Sequence, residues 1–136
     1  MQFAGMNYLA IVVAAAAAYV FSAIYYTLLS KPWMKAVELK KNRKQEAPWL
    51  PFVIAAAADL VMAWMLAGVV GHLGAGQVTV KNAVLSGAFV WFGFVLTTIA
   101  VNYAFAGRKP LLTVIDAAHW LGALLLMGAV IGLFGV

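Results

Sequence analysis

A few polar residues that could do chemistry lie inside long apolar stretches of this chain. Asp116 and His119 are three residues apart, so they share one face of a helix, and Asp59 interrupts another apolar run. A third run carries Thr98 and Asn102, four residues apart. Ionisable groups in apolar segments are costly and mark proton pathways, binding sites or contacts between helices. We therefore predict one polar cluster of Asp59, Thr98, Asn102, Asp116 and His119.

Three interpretations of this cluster stay open from the sequence. In the first, which we favour, the side chains hold helices together through hydrogen bonds. In the second, Asp59 and Asp116 line the pathway of a small proton-coupled transporter or permease. In the third, His119 is the ligand of haem or of a chlorophyll-type magnesium, with Trp120 packing on the macrocycle. Polar side chains of the first apolar run are expected in the same, cytoplasmic half of the membrane as the cluster: Ser22 and Tyr25 or Tyr26.

Motifs of other chemistry are missing from the sequence. There is no cysteine, which excludes disulfides and thiolate ligands or nucleophiles. The patterns GxxxxGK[ST], HExxH and GxSxG do not occur, so nucleotide-binding, zinc-protease and hydrolase functions lack their minimum parts. We expect no catalytic residue, no metal site and no enzyme. The excess of basic over acidic residues is expected to set the orientation in the membrane and to attract anionic lipid. We expect no nucleic acid as a partner.

Composition indicates a membrane protein. Of 136 residues, 66% are hydrophobic and 10% are charged, against about 25% charged in soluble domains. These values exclude disorder and argue against a soluble domain. Four apolar runs are each long enough to cross about 30 Å of hydrocarbon as a helix. We predict an all-α integral membrane bundle of four transmembrane helices in one domain, with approximate helix boundaries 7–30, 49–70, 83–105 and 111–136.

Basic residues indicate the orientation of these helices. Segments 31–48 and 106–110 contain eight of the nine, and segment 71–82 contains only Lys81. By the positive-inside rule the two basic connections are cytoplasmic, which places both termini and segment 71–82 on the periplasmic side of a bacterial cytoplasmic (inner) membrane. Because no basic residue precedes the first run, we expect an uncleaved helix there.

Segment 31–48 has two interpretations. We favour an ordinary basic cytoplasmic loop. The alternative is a stretch that lies on the membrane surface, anchored by Trp33 and Trp49, and docks to a partner or to acidic lipid.

Small residues predict where the helices pack. Helices in lipid approach closely where small side chains recur every four residues. Segment 53–60 also resembles segment 114–121 at five of eight positions, a weak sign of internal duplication. The predicted helix-packing residues are Ala14, Ala18, Ala63, Ala67, Gly128 and Gly132.

The chain resembles a bacterial inner-membrane family known as domain of unknown function 1761. The opening MNYLAIVVAAAAAYVFSAIYYTLLSKPWM resembles the family's start, and GAFVWFGFVLTTIAVNYAFAGRKPLLTVIDAAHWLGALLLMGAVIG is similar to its second half. Tyr25 stands where Trp is common in the family. The resemblance implies four small helices and supplies no catalytic residues. The positions that carry the opening match are Asn7, Tyr25, Tyr26, Lys31, Trp33 and Met34.

The function we expect follows from small size, small-residue helix faces and the missing reaction motifs. We predict a non-enzymatic accessory or stabilising subunit of a larger membrane assembly, of the respiratory or photosynthetic kind. Its expected partners are membrane lipids and other integral membrane proteins, or further copies of itself.

Overall fold

The computed structural model describes residues 2–38 and 46–136 of the chain. This part is helical and contains no strand, and four of its stretches are long and apolar enough to cross a membrane, which confirms the predicted fold class. The predicted loop 31–48 lies partly outside the described residues, with Lys40, Lys41, Arg43 and Lys44. The elements in chain order are α1 (Tyr8–Leu28), α2 (Ser30–Val37), α3 (Leu50–Gly71), α4 (Val80–Val90), a π-helical segment (Trp91–Leu96), α5 (Thr97–Phe105) and α6 (Pro110–Phe134).

Capping residues set the starts of these helices. The Asn7 side chain accepts a hydrogen bond from the Ala10 amide before α1, and Thr79 does the same for Asn82 before α4. The third span was predicted to begin at residue 83, but α4 begins three residues earlier. Hydropathy alone excludes the polar residues Lys81 and Asn82 from the predicted span. In the structure, Thr79 caps α4 before Val80, so both residues lie in the first turn of this helix.

The first span ends earlier than predicted, and a separate helix follows it. Leu29 leaves the helical conformation (φ −102°, ψ 17°), and α2 then begins at Ser30 and continues into the predicted loop. Ala36 of α2 is buried, and it packs in one cluster with Leu112 and Ile115 of α6. Residues 31–37 of the predicted loop are therefore helical, because this segment has an apolar side that packs against the bundle.

Helix α6 is central and packs against every other element. Its closest approaches are to α4, where a Cβ added at Gly128 would lie 2.6 Å from the carbonyl oxygen of Ala83. A Cβ at Gly132 would meet the backbone of Val80. All six small residues predicted at helix contacts lie at such close approaches or among the buried core residues, which include Ala14, Ala18, Ala63 and Ala67.

The two basic connections meet at one end of the bundle. Lys109 forms a salt bridge of 3.1 Å with Glu38, and Arg108 donates a hydrogen bond of 3.5 Å to the carbonyl of Val37. At the opposite end the amide of Ala4 donates to the carbonyl of Gly71 at 2.9 Å. Neighbouring spans therefore run in alternating directions, with segment 106–110 and α2 on the same end.

Candidate functional site

Asp116 is the centre of a polar network at the basic end of the bundle. Its carboxyl group is buried, and both of its oxygens accept hydrogen bonds from phenols. Tyr26 of α1 donates to Oδ1 at 2.7 Å, and Tyr103 of α5 donates to Oδ2 at 2.5 Å. One α6 side chain thus joins two other spans.

His119 makes a second polar link between α1 and α6. Its Nε2 lies 2.6 Å from the hydroxyl of Ser22, which also donates to the carbonyl of Ala18 at 2.8 Å. The direction of the bond between Nε2 and Ser22 depends on the imidazole tautomer. The Nδ1 of His119 is buried and has no hydrogen-bond partner. A third hydrogen bond between α1 and α6 runs from the phenol of Tyr25 to the carbonyl of Ile115, at 2.7 Å.

Aromatic rings enclose the imidazole of His119. The ring centroids of Trp120 and Tyr26 lie 4.6 and 4.8 Å from it, and those of Tyr25 and Phe21 lie at 5.5 and 6.0 Å. An axial ligand needs a ring nitrogen that faces open space, whereas here Nε2 is hydrogen-bonded to Ser22 and the unpartnered Nδ1 is buried. The arrangement does not fit a macrocycle at His119, which argues against the cofactor alternative.

Asp59 lies apart from this network. It is in the middle of α3 with 2% of its surface exposed, and its Oδ1 has no hydrogen-bond partner. Its helix packs against α1, α4 and α6. In the described residues, no hydrogen bond joins Asp59 to Asp116 or His119. Hydrogen bonding explains the burial of Asp116 but leaves that of Asp59 unexplained.

Thr98 and Asn102 do not join the predicted cluster. Both are exposed on the outer surface of α5, and the Thr98 hydroxyl donates to the carbonyl of Phe94 in the preceding π-helical segment. The π-helical segment before α5 contributes to this difference. Such a segment accommodates an extra residue, which turns the following residues by about 100° relative to a continuous α-helix. Tyr103, which the sequence analysis missed, faces α6 instead.

Other features were only partly visible in the sequence. The sequence places Ser22 and Tyr25 or Tyr26 in the same half of the membrane as the cluster, and the structure brings all three to α6. The signal for Tyr103 was its position 13 residues before Asp116, across a short basic turn, which suits a contact between antiparallel helices. The described residues contain no group of three or more His, Asp or Glu side chains arranged to hold a metal ion.

The fold and this network together define a small helical protein with four membrane-length apolar spans. A family model described as "Protein of unknown function (DUF1761)" matches residues 9–132. The chain therefore belongs to this family, as its resemblance indicated. No curated protein and no solved structure matched the chain.

Proposed function

We propose that this protein is a non-enzymatic accessory subunit that binds another integral membrane protein through its third span. The proposed location is the cytoplasmic membrane of a bacterium. The observation that carries the proposal is how little of this span the bundle covers. Only 6% of the apolar 18-residue stretch that defines this span is buried, against 28–39% of the corresponding stretches in the other three spans.

The uncovered part is the second half of the span. Buried residues of the third span, Ala83 and Gly87, belong to α4, whereas the π-helical segment and α5 have none. The indole of Trp91 and the phenol of Tyr103 tie this half to α6. The half is thus fixed in position and open on its outer face, as a docking surface must be.

The residue types on this outer face suit a neighbouring helix. Lipid-facing positions in membrane helices are mostly large and apolar, whereas small and polar residues mark contacts between helices. A Cβ added at Gly93 would meet nothing within 4 Å, and Thr97, Thr98 and Asn102 are exposed. Large aromatic side chains flank them, with Phe94 74% exposed. Such a surface offers close backbone approach together with aromatic packing.

Site-specific photocrosslinking in native membranes tests the proposal. A photoreactive phenylalanine analogue replaces Phe94, and a matched control replaces Val61, which is 54% exposed near the middle of α3. We expect one discrete protein adduct from position 94 and none from position 61. The adduct should contain an integral membrane protein, or this chain itself, when analysed by mass spectrometry.

The same experiment has outcomes that contradict the proposal. Lipid adducts alone at both positions would mean that the third span faces the bilayer like the others. Loss of the adduct on changing Gly93 to Leu would support close helix contact, whereas an unchanged adduct would argue against a specific surface.

A proton-coupled transporter is the second candidate, and Asp59 favours it. A buried carboxyl group without a hydrogen bond in the middle of a span is expensive and calls for a functional reason. Purified protein in vesicles that contain a pH-sensitive dye tests this candidate. Proton flux that disappears in Asp59→Asn, but persists in a variant with intact Asp59 such as Tyr19→Phe, would favour transport over the accessory role. Absence of proton flux in the wild-type protein would exclude the transporter candidate.

A further inference from the structure

Helix α2 has two chemically different sides. Ala36 is buried, and Trp33 and Val37 pack with it against the start of α6. Lys31 and Lys35, one turn apart, are exposed on the other side. A short helix of this kind at the end of a membrane span lies in the interface, with its apolar side towards the protein and the acyl boundary.

Basic residues from two elements meet at this end of the bundle. Arg108 reaches the carbonyl of Val37 at the end of α2, and Lys109 pairs with Glu38. The pairing of Lys109 leaves Lys31, Lys35 and Arg108 as the cations not engaged with an acidic group in the described part of this end. The opposite end contributes only Lys81.

We propose that α2 and the 106–110 turn form a binding surface for the headgroups of anionic phospholipids. Three observations select this occupant: the surface lies at the ends of two membrane-length helices, where lipid headgroups are expected, its charge is positive, and Met34, which lies between the two lysines in sequence, is exposed. Each basic residue near an anionic membrane strengthens binding by about fivefold. The inference is independent of the accessory role, because it concerns basic residues of α2 and the 106–110 turn, whereas the accessory role concerns the outer face of the third span.

Lipid binding by the purified full chain tests the inference. The protein is held in zwitterionic micelles, and phosphatidylglycerol or phosphatidylcholine is added. Bound lipid is counted by native mass spectrometry, and the unfolding temperature is followed in parallel. We expect phosphatidylglycerol to bind and to raise the unfolding temperature, with a much smaller effect of phosphatidylcholine.

Three variants make the test specific. In K31Q/K35Q/R108Q the affinity for phosphatidylglycerol should fall by more than tenfold, whereas K81Q at the opposite end should leave it unchanged. The charge-preserving variant K31R/K35R/R108K should retain binding. Equal affinity of the triple Gln variant and the wild type, or equal binding of the two lipids, would overturn the inference.

A salt titration of the wild-type protein keeps the test valid if the triple variant does not fold. Headgroup binding through exposed charges is screened by salt, with a Debye length of about 10 Å at 0.1 M and about 3 Å at 1 M. Affinity for phosphatidylglycerol should therefore fall steeply over this range. Binding that does not depend on salt would point to contacts with the acyl chains alone and would contradict a headgroup surface.

Discussion

The phenol of Tyr26 donates a hydrogen bond of 2.7 Å to Oδ1 of Asp116, and this bond joins the end of the first span to the beginning of the fourth. Tyr103 satisfies the other carboxyl oxygen from the third span. A buried carboxyl group with both oxygens engaged is a structural connector, and this supports the interpretation of the basic-end network as a contact between helices. Asp116 is thereby less suited to a transport pathway than Asp59.

Removing the hydroxyl group of either tyrosine should destabilise the folded bundle. We expect Tyr26→Phe and Tyr103→Phe each to lower the free energy of unfolding by about 1 kcal/mol, because each leaves a buried carboxyl oxygen without its donor. Unfolding by titration with a denaturing detergent measures the change.

A double-mutant cycle tests whether the two phenols act through Asp116. Because both bonds use the same carboxyl group, Tyr26→Phe and Tyr103→Phe should be non-additive with Asp116→Asn. Tyr19→Phe is the control, since the Tyr19 phenol is in an exposed bond of 3.4 Å to the carbonyl of Phe52. Additive losses, or a control as damaging as the two variants, would show that the network does not connect the spans as described.

Close packing of α4 on α6 predicts a second set of stability changes. A methyl group at Gly128 would lie 2.6 Å from the carbonyl oxygen of Ala83, so Gly128→Ala should lower the free energy of unfolding by about 1–3 kcal/mol. Gly93→Ala is the matched control in the same span pair, because nothing lies within 4 Å of the added Cβ. Its stability should stay equal or rise by up to about 1 kcal/mol, through better helix propensity. Equal losses in the two variants would contradict this packing.

The fold could be predicted from the sequence because lipid imposes a simple rule. A backbone inside hydrocarbon must satisfy its own hydrogen bonds, so each long apolar run becomes a helix. Hydropathy therefore found all four spans, with errors confined to their ends. It missed the polar first turn of α4, which depends on the Thr79 cap, and it missed α2, whose packing against Leu112 and Ile115 depends on contacts distant in sequence.

The polar network was predicted only in part for a related reason. Depth along a helix can be counted from the sequence, so Asp116, His119 and Ser22 are all predicted in the same half of the membrane. The face that a residue presents depends on local helix geometry, and the π-helical segment changes it for α5. Tyr103 consequently contacts Asp116, while Thr98 and Asn102 face outwards. The apolar sequence of this segment, WFGFVL, does not by itself distinguish a π-helix from a continuous α-helix.

The missing partner of Asp59 predicts an unusual response to substitution. Most buried polar groups stabilise through their hydrogen bonds, whereas an unsatisfied one costs about 1–3 kcal/mol. We therefore expect Asp59→Leu to leave the unfolding free energy unchanged or to raise it, in contrast to Asp116→Leu, which should lower it. Detergent-induced unfolding of both variants provides the measurement. A large loss in Asp59→Leu would mean that Asp59 has a stabilising partner after all and would remove the main support for a transport role.

The two basic connections predict which side of the membrane each end of the bundle faces. The chain contains no cysteine, so a single introduced cysteine reports on one position. Gln77→Cys lies in the connection between α3 and α4, and Glu46→Cys and Ala106→Cys lie at the basic end; all three positions are exposed. These substitutions keep every basic residue, and acidic residues contribute little to orientation.

Labelling of intact bacterial cells with a membrane-impermeant maleimide measures the outcome. We expect Gln77→Cys to react in intact cells, and Glu46→Cys and Ala106→Cys to react only after permeabilisation. The salt bridge between Lys109 and Glu38 requires positions 46 and 106 to behave alike whatever the orientation. Reaction of both in intact cells would invert the proposed orientation, whereas a difference between them would contradict the arrangement of the helices itself.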